Sequence, residues 1–171
     1  MADAEGNGIE LYVDRPREQW PYSHGELQMG TEPLDLDNLL SELTTHEGNE
    51  EPNSRELRIG HIHLQVSSVQ NAEEFYHRTL GFDVVQRNFP GALFMSAGGY
   101  HHHIGANIWN SRGASPAREG STGLMEFGIQ LGNANASQEL SSQLQSTEYW
   151  VDGSGESFVI RDLDQLRIHI S

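Results

Sequence analysis

The sequence predicts an α+β fold of two strand–helix–three-strand (βαβββ) units, whose polar strand faces would line a cup if the units close into a curled mixed sheet. Two observations predict it. From residue 57 onward, strand-length segments alternate apolar and polar residues, giving each one face for a core and one polar face. The order strand, helix, three strands also occurs twice, over about 57–112 and 122–171, with little sequence identity between the copies.

Taken in order, Gly8-Ile9-Glu10-Leu11-Tyr12-Val13 reads as a strand ended by Pro16, and 17–33 as turn-rich chain. Apolar residues at 34, 36, 39, 40 and 43 predict a short amphipathic helix with Asp35 or Asp37 near its start. Residues 44–56 are polar, acidic and rich in breakers, and are expected as a mobile linker inside a helix-containing connection, 17–56. The first unit then predicts strand 57–66, helix Asn71–Thr79, strand 82–88, strand Ala92–Ala97 and strand 101–109. Gly-containing turns separate the last three. The second predicts strand 124–131, helix Ser137–Ser146, a short strand near Trp150, strand Ser157–Arg161 and strand Leu166–Ile170.

The polar faces carry the chemistry. Alternation places His61, His63 and Gln65 together, then His101, His103 and Asn107, then Glu126 and Gln130, then Arg167 and His169. In a closed cup, His61, His103, Glu126 and His169 would converge on the floor. With no cysteine in the chain, a metal must be held by His, Asp or Glu.

Composition excludes several partners. The chain has 25 acidic and 10 basic residues, a net charge of −15, and every basic residue is arginine. Such a surface repels nucleic acid and anionic membrane, and it matches the proteins of salt-accumulating (halophilic) cells, whose cytoplasm screens self-repulsion. No apolar run is long enough for a membrane span and no secretory signal opens the chain, so a cytoplasmic location is expected. A phosphate loop, a nucleophile elbow and a His-Glu-x-x-His helix are absent from the sequence.

Gly60-His61-Ile62-His63-Leu64, with Phe75-Tyr76 and Leu80-Gly81-Phe82, resembles the opening module of the vicinal oxygen chelate superfamily. That superfamily includes glyoxalase I, extradiol dioxygenases and bleomycin-resistance proteins. Gly99-Tyr100-His101-His102-His103-Ile104-Gly105 with Asn107-Ile108-Trp109 resembles the fourth strand of its two-domain, catechol 2,3-dioxygenase-like members. The resemblance implies paired βαβββ modules around a divalent metal, over 57–171. It places a first ligand at His61. Glu126 stands where the family usually has a second histidine, and His169 where it usually has a glutamate, so two imidazoles and one carboxylate remain. That set implies Fe(II), with Mn(II), Ni(II) or Zn(II) as alternatives, and His103 as the acid–base residue. His63 is expected beside the ligands or in the pocket wall.

The implied substrate is a small aromatic diol, or a carbonyl compound if the cup runs glyoxalase-type chemistry. Residues 1–16 resemble the last strand of a preceding module, with Glu10 at its ligand position and the rest of that module missing. A lone edge strand invites a second copy or a partner subunit, so homodimerisation or docking through it is expected. The alternative is a non-catalytic small-molecule-binding or assembly module, a remnant of a two-domain dioxygenase-like protein.

Overall fold

A computed structural model describes residues 1–30, 32–45, 58–118 and 120–171. Most of the expected linker 44–56, and the first residue of the strand expected at 57–66, lie outside the described residues. The chain divides into two compact units, Met1–Gly48 and Asn49–Ser171.

Among its described residues the first unit holds a 3-10 turn (Arg17–Gln19), a two-stranded hairpin, β1 (Tyr22–Ser23) and β2 (Glu26–Leu27), and an α-helix, α1 (Leu36–Thr45). His24 and Gly25 at its turn both have positive φ, the backbone state a two-residue hairpin loop requires. Asp35 starts α1, its Oδ1 accepting from Asn38 N at 2.9 Å. The strand expected at 8–13 is not formed. Ala2 and Gly8 make an isolated bridge and Ile9 N donates to Met1 O, while residues 9–16 carry no strand. A strand needs a continuous ladder of backbone partners, and here the pairing with Met1 and Ala2 stops at a single bridge. The edge expected for dimerisation is therefore not a strand in this structure.

The second unit repeats one plan twice. Strands β3 (Ile62–Gln65), β4 (Asp83–Gln86), β5 (Ala92–Ser96) and β6 (Ile104–Asn107) form a sheet of order β3-β6-β5-β4. Strands β7 (Glu126–Ile129), β8 (Trp150–Ser154), β9 (Ser157–Arg161) and β10 (Arg167–Ile170) form a second, of order β7-β10-β9-β8. In each, the first and last strands of the module pair in parallel and the other neighbours are antiparallel. Both βαβββ modules the sequence predicts are present, each with its four strands in a mixed sheet of its own.

Each first strand feeds a helix with a side-chain cap. Ser68 Oγ accepts from Asn71 N at 3.3 Å ahead of α2 (Val69–Ala72). Asn133 Oδ1 accepts from Ala136 N at 3.0 Å ahead of α3 (Ala134–Leu144). Helix α2 widens without a break into a π-helical segment, Glu73–Thr79. Gly81, at φ +84°, then turns the chain, with Gly81 N and Phe82 N donating to His77 O and Tyr76 O.

Register defines the two faces of the first sheet. Leu64, Ala106 and Leu93 lie side by side facing the core, as do Ile62, Ile104 and Met95. His63, Gly105 and Phe94 lie side by side on the opposite face. The core also takes Phe75 and Tyr76 from the π-helical segment and Phe158, Ile160, Ile168 and Ile170 from the second sheet. One buried polar link joins the modules: Tyr76 OH donates to Asp162 Oδ2 at 2.8 Å, while Asp162 Oδ1 accepts from Asp164 N and Leu166 N, each at 2.9 Å. Asp164 in turn accepts from Ser67 N, just past β3, at 3.0 Å. Gln165, at φ +70°, completes this tight loop into β10.

Candidate metal centre

His61 and His63 enter the site from the start of β3, one residue before the strand and one within it, so both side chains leave its polar face. The third member comes from the chain before β6. The paired strand begins at Ile104, so the strand expected at 101–109 is shorter by three residues at its start. Gly98 and Gly99 both take positive φ, and the chain bends at residues 101 and 103. Alternation fails across that bend, and the ring that turns onto the polar face is that of His102. It lies 4.4 Å from His61 and 5.2 Å from His63, centroid to centroid, and 5.1 Å from Phe94.

The result is a cluster of imidazoles. One ring nitrogen from each of His61, His63 and His102 lies within 4.8 Å of the other two, the one such metal-capable group among the described residues. His63 Nε2 and His102 Nε2 are 3.2 Å apart. Behind His102, His101 Nδ1 lies 2.9 Å from His102 Nδ1. His102 is buried, and desolvation first, then the neighbouring histidines, lowers its pKa to about 3. It is therefore neutral throughout the neutral range, the state in which imidazole ligates metal.

Gly105 makes the cluster sterically feasible. A Cβ there would stand 3.1 Å from both Cε1 and Nδ1 of His63, so the His63 ring lies over a backbone with no side chain beneath it. The strand φ at Gly105 is ordinary, and alanine fits the backbone. Gly105→Ala should accordingly leave the melting temperature near the wild-type value while displacing the exposed His63 ring. A fall of about 10-fold in Co(II) affinity, measured by titration, is the expected result, on the scale of other disturbances to a ligand's setting.

The remaining expected site residues lie elsewhere. Glu126 and His169 do meet, with Oε2 and Nε2 3.0 Å apart, because β7 and β10 are parallel neighbours. Arg167 Nε adds a contact at 3.6 Å, and all three side chains are well exposed. The hydrogen bond from His169 first, then its charge, lowers the Glu126 pKa. Among the described residues neither joins a metal-capable group with His61. His103, expected as the acid–base residue, is not a member of that group: its Nδ1 accepts from Ala97 N at 3.1 Å and its ring packs 4.9 Å from Tyr100 and 6.4 Å from Phe82. Burial first, then the charge of His61, lowers its pKa. His102 and Gly105 are the residues that alternation does not select.

A bound divalent ion fits these residues. Nitrogens sharing one ion at about 2.0–2.1 Å stand about 3.0–3.4 Å apart, and the 3.2 Å separation of His63 and His102 falls in that range. Three protein ligands also leave positions for water or substrate, whereas structural sites close with four.

Residues 58–143 match the Glyoxalase/Bleomycin resistance protein/Dioxygenase superfamily, and the chain belongs to it. It is 39% identical over 165 residues, 95% of its own length, to the catechol-2,3-dioxygenase of Bacillus subtilis (strain 168), and covers 57% of that protein. The chain thus spans little more than half of this relative. Two solved structures share the fold at a TM-score of 0.50. One is an integron cassette protein from the mobile metagenome of the Halifax Harbour sewage outfall, 13% identical, with 66% of this chain and 95% of that one covered. The other is the cppA protein of Streptococcus pneumoniae TIGR4, 18% identical, with 63% and 46% covered. Among the described residues no helix is long and apolar enough to cross a membrane.

Proposed function

We propose that the second unit is a metal-dependent oxidoreductase of the extradiol, ring-cleaving type, acting on a small aromatic diol with Fe(II) held by His61, His63 and His102. The observation that carries this reading is the convergence of three imidazoles within 4.8 Å, in a chain 39% identical to a catechol-2,3-dioxygenase. Imidazole suits Fe, Zn, Ni and Cu, whereas Mn(II) favours oxygen donors and fits this nitrogen set least. Bound there, a divalent ion supplies Lewis-acid charge for two vicinal substrate oxygens.

The protein's own groups do the rest. His102, neutral and buried, presents a ligand nitrogen for which protons do not compete near neutrality. Phe94 packs edge-on against His63 and His102, with ring centroids 6.0 and 5.1 Å away, keeping water from that side and offering an apolar wall to a planar ring. Phe89 continues the wall 5.9 Å from Phe94. Gly105 leaves room for the His63 ring.

The test is oxygen uptake by the Fe(II)-loaded chain with catechol. Uptake that requires both Fe(II) and catechol, and that falls at least about 100-fold in His61→Ala, is the expected result. A loaded chain that consumes no oxygen with catechol or its alkyl derivatives would refute the proposed activity.

A further inference from the structure

His101 takes no part in the ligand group, yet its Nδ1 lies 2.9 Å from Nδ1 of His102. On its other side, the His102 ring places Nε2 3.2 Å from Nε2 of His63. The ring is buried, so water offers little alternative to these two partners. A neutral imidazole carries one N–H, which must sit on one nitrogen or the other. Ligation through Nε2 requires the lone pair there and sends the proton to Nδ1. The group within reach of that proton is Nδ1 of His101, 2.9 Å away, which must then act as acceptor and keep its own proton on Nε2.

We propose that His101 is a positioning residue: by accepting the Nδ1 proton of His102, it fixes the tautomer and ring orientation in which His102 ligates metal. The proposal rests on the reading of His61, His63 and His102 as a metal site. Ring contacts support the orientation of His101 itself, whose ring lies 4.0 Å from that of Tyr100, tilted by 42°, and 4.7 Å from that of His102, edge-on. Ligating histidines commonly donate their second N–H to a fixed acceptor, and loss of that acceptor typically costs about 10- to 100-fold in metal affinity.

The full chain, stripped of metal, is titrated with Co(II) and followed by visible absorption, comparing wild type, His101→Leu and His101→Asn. Asparagine places a carbonyl oxygen near the position of Nδ1; leucine fills space without an acceptor. Binding of one Co(II) by wild type, weakened about 10- to 100-fold in His101→Leu and restored to within about 3-fold in His101→Asn, supports the proposal. Thermal melts of the metal-free proteins should be alike, since the bond is needed for the ligand and not for the fold. Equal affinity in His101→Leu and wild type overturns it, as does equal weakening in both variants, which would assign the effect to the ring itself. If wild type binds no Co(II), the metal-site reading falls and this proposal with it, an outcome distinct from unaltered binding by His101→Leu.

Discussion

Replacing His102 by alanine should lower Co(II) or Zn(II) affinity by more than about 100-fold, exceeding the usual cost of losing a ligand's hydrogen-bond partner. The reason is geometric. His102 is the buried member of the group, and half-buried His61 and exposed His63 both lie against it: His61 at 4.4 Å between centroids and His63 at 3.2 Å between Nε2 atoms. Without it, two partly solvated histidines remain, a set common on surfaces that bind metal weakly. Glu126→Gln provides the contrast. Its carboxylate is paired with His169 and Arg167 on the second sheet, so metal affinity should change less than about 3-fold, an estimate that follows from its place outside the ligand group. Isothermal titration of the two variants beside wild type measures both. Tight binding by His102→Ala with loss in Glu126→Gln would transfer the site to the second sheet.

Asp162→Ala should produce the largest loss of stability, on the order of 3–5 kcal/mol. One carboxylate accepts from Tyr76 OH, Asp164 N and Leu166 N, and its removal leaves the Tyr76 hydroxyl buried without that acceptor. The same bond joins the π-helical segment of the first module to the loop before β10 of the second, so both modules loosen together. Urea unfolding should show the midpoint falling with little change of slope. Asp162→Asn retains an acceptor oxygen and should lose less than half as much. A midpoint within error of wild type for Asp162→Ala would show the link to be dispensable.

A pH dependence follows from the same pair. Desolvation first, then the charge of Asp162, raises the Tyr76 pKa well above its ordinary value of 10.0. Above that value the unfolded chain releases a proton that the folded chain retains, so stability falls as pH rises past about 10, by up to about 1.4 kcal/mol per pH unit. Tyr76→Phe should flatten this alkaline limb, as read from unfolding curves at successive pH values.

The fold was legible because its signals are periodic. Alternation in 61–66, 124–131 and 166–170 reports strands with one buried face, and the structure places Leu64, Ile168 and Ile170 in the core accordingly. The start of α3 came three residues earlier than expected because Asn133, a good cap, outweighed the weakly apolar run that follows it. Residues 8–13 alternate as well as any strand, but alternation describes only the faces and not whether a neighbour exists to pair with the backbone. The site was legible in His61 and His63, which stand on one regular strand. It was lost at His101–His103, where three identical residues leave the choice of ring to backbone phase, and two left-handed glycines just upstream shift that phase. The tandem Gly98-Gly99 was the available warning that strand pairing would begin late. Gly105, opposite His63 in the sheet, was a second sign, since a glycine inside a strand often marks close approach by another group.

The most direct measurement is an anomalous difference map at the metal's absorption edge, from crystals of the metal-loaded chain. A single peak about 2.0–2.2 Å from ring nitrogens of His61, His63 and His102 is the predicted result. A peak bonded instead to Glu126 and His169, or none near the histidine cluster at full metal occupancy in solution, would contradict it.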